Sequence, residues 1–190
     1  MKNDRLGASV LSALLISNVD AGLAASLELK PHHRSLGIIT SDCDDVTYVA
    51  LDEATKAADV EVVYARSMYA GAGNASTKLA GEVIGILAGP NPEEVRSGLD
   101  VAVYEIENGA SFYSANDDDS IPYFAHCISR AGSYLSEGAN AEEGTAIAYL
   151  IAPPGEAMVA LDAALKAADV QVGAFYGPRN ETNNRRGKRG

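Results

Sequence analysis

Along the chain, apolar and polar positions change period several times, and each change marks an element. Residues 9–17 (SVLSALLIS) form a short apolar run that reads as a strand, Asn18 stands where it can cap a short helix through Leu27, and residues 35–41 (SLGIITS) read as a second strand. From Asp44 the apolar residues Val46, Val49, Ala50, Ala54 and Ala57 fall at helical spacing on one face. Asp44 or Asp45 is placed to cap that helix and to favour its positive end. Residues 60–66 (VEVVYAR) alternate like a half-buried strand, and 81–89 (GEVIGILAG) is a further short apolar run. Asn91, Pro92, Glu93 and Glu94 supply a cap, a first-turn proline and first-turn acids for a helix ending near Gly109. Farther on, residues 121–129 and 146–152 read as strands, Pro153 and Pro154 punctuate, residues 156–168 form a helix, and 170–176 form a strand after it. Strands and helices thus alternate, the signature of a mixed α/β architecture.

Part of this pattern occurs twice. Residues 50–62 (ALDEATKAADVEV) and 160–172 (ALDAALKAADVQV) match at ten of thirteen positions with an offset of 110. A fixed-offset repeat of this length implies a duplicated domain in which the same helix lies against its own sheet. The expected division is 1–109 for the first copy, 110–183 for the second, and 184–190 for a basic tail without apolar residues, a solvated and disordered end. By the same offset, the counterparts of the 81–89 strand and of the helix after it would begin at about residue 191. The second copy is therefore expected to be incomplete, with an exposed apolar face.

Composition narrows the function. The 190 residues, 47% hydrophobic, suffice for one substantial core or two modest ones. A net charge of -11 argues against a general role on nucleic acid or anionic membranes, since counterion release needs a cationic face, and favours small cationic or polar ligands. Cys43 and Cys127 lie in different copies and suggest reduced thiols in a cytosolic compartment. The apolar stretch 10–16 is short and interrupted by Ser12, so no signal peptide or membrane span is expected.

The stretch Leu36-Gly-Ile-Ile, followed by the Ala-rich helix and valine-rich strand of residues 50–63, resembles the bacterial microcompartment (BMC) shell domain. More narrowly, residues 31–37 (PHHRSLG), 42–48 (DCDDVTY), 67–71 (SMYAG), 80–83 (AGEV), 89–92 (GPNP), 132–135 (GSYL) and 181–183 (ETN) together resemble shell proteins of the EutL, or ethanolamine-utilisation, type. The similarity runs in order from about residue 10 to residue 183. It implies an α+β sandwich of tandem, circularly permuted ferredoxin-like BMC domains. Three such chains form a pseudohexagonal homotrimer that tiles with other shell proteins into the microcompartment shell in the cytoplasm, has a gated central pore, and has smaller pores that bind or pass ethanolamine. It implies no enzyme, no cofactor, no nucleic acid and no membrane. Members continue past the Glu-Thr-Asn sequence into a further strand and helix, where this chain has Asn184 and its basic tail, so truncation is the expectation.

Ethanolamine is a small ammonium with a hydroxyl, so its site needs carboxylates for the charge and a hydroxyl or carbonyl for orientation. By the resemblance, Asp44 and Asp45 match the family's ligand-binding pair, Glu82 its glutamate, Phe112 its aromatic wall and Thr182 its hydroxyl. Each also has a plainer reading: a helix cap with a solvated neighbour, an exposed strand-start acid, a core anchor and a loop residue.

Other chemistry is set aside. His32 and His33 are adjacent, and His126 lies far along the chain, which is poor spacing for a metal. Surface or hydrogen-bonding histidines are expected, and no metal site. The acidic run 116–120 lacks the glycine and terminal glutamate of an EF-hand and reads as a solvated connector. No phosphate-binding glycine loop and no nucleophile elbow is present. Lys56 and Lys166, equivalent in the two copies, are expected on exposed helix faces. Two other classes stay open: a small-molecule-binding regulator built from a tandem ferredoxin-like fold, and a metal-dependent hydrolase using Asp42, Asp44 and Asp45.

Overall fold

The structure, a computed structural model, describes residues 4–68 and 82–176. In chain order its elements are β1 (Asp4–Leu6), β2 (Val10–Ile16), α1 (Ala21–Ser26), β3 (Ser35–Ser41), α2 (Asp44–Ala57), β4 (Glu61–Met68), β5 (Glu82–Gly89), α3 (Pro92–Asn108), β6 (Phe112–Ser114), β7 (Pro122–Ile128), α4 (Ser133–Ala139), β8 (Ile147–Ile151) and α5 (Pro154–Ala167). They build two antiparallel sheets, β2-β3-β5-β4 and β1-β6-β7-β8.

Helices α2 and α3 lie side by side on one face of the first sheet. The apolar spacing read from the sequence explains this: Val46, Val49, Ala50, Leu51 and Ala54 are buried on α2, and Val95, Leu99, Ala102 and Ile106 on α3. At about 1.5–3 kcal/mol for each large apolar side chain removed from water, these two stripes are the main cohesion of the first half. Close approach of α3 is permitted by Gly37 in β3, where a Cβ would stand 2.7 Å from Leu99 Cγ and 2.8 Å from Val95 Cγ1. On the other face of the sheet, Leu36, Ile86 and Ala88 are covered by Val19, Leu27 and Leu29 from the segments flanking α1.

Phe112, Phe124, Ile128 and Ala131 from the second half join the same core as α2 and α3. Strand β1 pairs with β6 in the order Asp4↔Ser114, Arg5↔Tyr113 and Leu6↔Phe112, so the first strand of the chain completes the second sheet. Asp52 ties the halves further. From α2, its Oδ2 accepts the Gly132 N–H at 2.7 Å and its Oδ1 the Leu135 N–H at 2.8 Å, capping the N-terminus of α4.

Helix α3 begins as expected, with Asn91 accepting the Glu94 N–H at 2.9 Å and Pro92 in the first turn. Two other caps differ. Helix α1 is capped by Asp20, which accepts the Gly22 N–H at 2.8 Å, rather than by Asn18, because the helix starts only at Ala21. At α2 the capping position is Cys43, without a side-chain bond; Asp44 and Asp45 already lie in the first turn, where they still meet the positive end of the helix. Lys56 is not on an exposed face: its side chain is 13% exposed, bonds Glu53 and donates to the Arg130 carbonyl at 2.9 Å. Its counterpart Lys166 is 74% exposed and pairs with Asp162 at 2.6 Å.

The expected strand at 170–176 is irregular over residues 171–176. In the first half its counterpart β4 has β5 as its ladder partner among the described strands. With no equivalent of β5 among the described residues, the segment has no ladder to join, and its apolar residues Val170, Val172, Phe175 and Tyr176 are exposed. Helix α5 occupies the position that the offset requires, 110 residues after α2, yet buries no side chain against the described residues. The basic tail lies outside the described residues.

Candidate functional site at the start of the second helix

Strand β3 ends at Ser41 and the chain turns at once into α2, which fixes Asp44 and Asp45 at the helix N-terminus. The turn is held by Ser41, whose Oγ accepts the Cys43 N–H at 3.2 Å, and by Thr47, whose Oγ1 donates to the Cys43 carbonyl at 2.8 Å. Within the first turn, Asp44 Oδ1 accepts the Asp45 N–H at 3.0 Å. The Tyr149 hydroxyl, reaching across from β8, donates to Asp45 Oδ1.

Burial pushes the Asp45 carboxyl up to about 7, and the adjacent Asp44 charge adds to the shift, while the Tyr149 hydrogen bond opposes it. The phenols respond to the same surroundings. Tyr149 and Tyr48 are both held well above the usual tyrosine range, first by burial and then by the charge of Asp45 and Asp44 respectively. The Cys43 thiol is pushed up to about 12 by burial, so it is not a nucleophile at neutral pH. The result is a partly buried acidic pair backed by two neutral phenols, with the helix N-terminus as its positive partner and no cationic side chain bonded to it among the described residues.

The other residues expected at this site are distributed as follows. Glu82 opens β5 and is exposed. Because Ser41 pairs with Val83, Glu82 lies at the end of the sheet where α2 begins. Phe112 is 5% exposed in the core, its ring 5.1 Å from Phe124, which in turn packs edge-on against Tyr149 at 5.3 Å. Phe112 is thus linked to Asp45 through Phe124 and Tyr149. Thr182 lies outside the described residues. Sequence reasoning passed over Tyr149, although the alternation of Ile147, Tyr149 and Ile151 turns all three toward the core, and a phenol on that face of a strand signals a buried hydrogen-bond partner. Tyr48, beside the pair, was likewise passed over.

Comparison with known proteins decides the family. The family model of the BMC domain matches residues 35–116. A microcompartment shell protein EutL of Clostridium perfringens is 68% identical over 183 residues, 96% of this chain and 84% of that protein. The chain belongs to the EutL family of bacterial microcompartment shell proteins. A EutL of Salmonella typhimurium is 54% identical over 180 residues, 95% of this chain and 82% of its own length. The solved EutL structure from Leptotrichia buccalis superposes with a TM-score of 0.87 at 67% identity, covering 96% of this chain and 84% of the other. The two sheets with their helices are therefore tandem BMC domains, and the EutL family is a structural one rather than a family of catalysts. No helix among the described residues is long and apolar enough to cross a membrane.

Proposed function

We propose that this EutL-family chain binds ethanolamine at the start of α2 and passes or senses it across the shell, three chains forming a pseudohexagonal trimer with a gated central pore. The observation that carries this reading is the half-buried Asp44–Asp45 pair, Asp45 bonded to Tyr149 and no cationic side chain bonded to either among the described residues. A small ammonium relieves the repulsion between the two carboxyls and lets Asp45 ionise. Glu82 at the same end of the sheet adds a third carboxylate, and a hydroxyl from Thr182 and a wall involving Phe112 complete the set that the family resemblance suggests. The division into a first domain at 1–109, a second at 110–183 and a tail at 184–190 gives two BMC domains per chain and six per trimer.

Calorimetric titration with ethanolamine, using ethylene glycol as a neutral control of similar size, tests the site. Saturable binding of ethanolamine alone, lost in Asp45→Asn, is expected; equal heats for ethylene glycol, or unchanged binding by the variant, would sink the proposal. Electron microscopy tests the assembly, where trimers and flat sheets are expected. Isolated monomers that bind the ligand would favour a regulator instead.

A further inference from the structure

A second cluster of chemistry-bearing side chains stands apart from the start of α2. The segment before β3 turns at Lys30, where the His33 N–H donates to the Lys30 carbonyl at 3.0 Å. This turn sets His32 and His33 side by side, with ring centroids 4.3 Å apart and planes inclined by 66°. Glu61, the first residue of β4, meets both rings. His32 Nε2 and His33 Nε2 each lie 3.5 Å from the same oxygen, Glu61 Oε1, and one ligand-capable atom from each of the three residues falls within 4.8 Å of the others. The second oxygen, Glu61 Oε2, takes the Lys30 ammonium at 2.5 Å.

Within this cluster His33 is an anomaly. Its side chain is 2% exposed, and its Nε2 reaches only Glu61 Oε1, at 3.5 Å, too far for a good hydrogen bond. A buried polar atom so weakly paired is costly and asks for an explanation such as an ion or a water. The spacing points to an ion. In a tetrahedral zinc site, with bonds of about 2.0–2.1 Å, neighbouring ligand atoms stand roughly 3.3 Å apart. Both observed nitrogen-to-oxygen separations, at 3.5 Å, are close to such an edge. Two imidazoles with one carboxylate is a donor set suited to zinc, and the Lys30 contact holds the carboxylate in the way that supporting groups orient metal ligands.

We propose that His32, His33 and Glu61 form a zinc site that clips the segment before β3 to the edge strand β4, with its fourth position open to water. Access is available because His32 is exposed and Glu61 also lines a cavity of about 330 Å³, together with Lys30, Val62, Ser133, Tyr134 and Glu137. Without metal, the Lys30 N–H donates to His33 Nδ1 at 3.3 Å, which places the ring proton on Nε2. Zinc takes Nε2 of the other tautomer, the proton having moved to Nδ1. No proton leaves the neutral ring; Nδ1–H then faces the Lys30 N–H, so the exposed Lys30 backbone turns away to water and this long hydrogen bond is given up.

The test uses the full chain stripped with a chelator, titrated with zinc sulfate and, in parallel, with cobalt chloride. One zinc per chain is expected, with the intense visible bands of tetrahedral cobalt and a rise in melting temperature. His32→Asn, at an exposed position that spares the fold, and Glu61→Gln should each weaken zinc at least tenfold and abolish the tetrahedral spectrum, while His126→Asn should leave both unchanged. Zinc affinity unaltered by His32→Asn and Glu61→Gln overturns the site, as does a wild-type chain that gives only the weak bands of octahedral cobalt.

Discussion

Asp52 and Gly132 are joined by a 2.7 Å hydrogen bond from the glycine N–H to a carboxylate that is wholly buried. The repeat counterpart of Asp52 is Asp162, which is 63% exposed and, among the described residues, bonds Lys166 of its own helix. One carboxylate therefore fastens the two halves together, while its copy decorates a surface. Removing Asp52 strands two backbone donors at the start of α4 and leaves Lys56, 3.6 Å away, without one of its acidic neighbours. Asp52→Ala should cost about 3–5 kcal/mol in urea denaturation, and Asp162→Ala less than about 1 kcal/mol. Equal costs would mean that the cap across the halves contributes nothing.

The start of α2 should make stability depend on pH. Asp45 is raised from an ordinary 3.8 to about 7 in the folded chain, so between those values the folded state keeps a proton that the unfolded state releases. Stability from this group is present at low pH and declines as pH rises through that window. Urea midpoints measured from pH 4 to pH 8 should fall more steeply in the wild type than in Asp45→Asn. Tyr149→Phe, which removes the bond favouring the carboxylate, should leave the start of the decline in place and extend its upper end to higher pH.

Gly37 sets how closely α3 lies on the first sheet. Gly37→Val drives methyl groups into Leu99 and Val95, both boxed in by the core, and should destabilise the chain by about 1–3 kcal/mol. Thermal melting checks this, and a compensating trim such as Leu99→Ala should recover part of the loss. No recovery would indicate that the strain is taken up elsewhere.

Val49 and Val159 occupy the same place in the repeat, yet the first is fully buried and the second 72% exposed. In dilute, unassembled chain, Val49→Ala should cost about 2 kcal/mol and Val159→Ala within about 0.5 kcal/mol by denaturant midpoint. A large cost at Val159 would reveal that α5 is covered in solution.

The elements were mostly legible because their signals are local. Asn91-Pro92 marks the start of α3 by cap and proline chemistry alone, and the apolar spacing of α2 depends on its own residues. The relationships that give the sites their character are not local. Tyr149 meets Asp45, Asp52 meets Gly132, and Glu61 meets His33 across sheet and helix packing that no spacing rule encodes. The segment 170–176 failed as a strand for the same reason, since strand propensity needs a neighbouring ladder to become structure.

The pairing of β1 with β6 also has a consequence for how the chain is made. Asp4–Leu6 leaves the ribosome before its partner Phe112–Ser114, which follows only after more than a hundred further residues. At 5–20 residues per second, β1 spends roughly 5–20 seconds unpaired during synthesis. A strand made well before its partners is thus among the last to find its place, and it closes the second sheet only when that sheet exists to receive it.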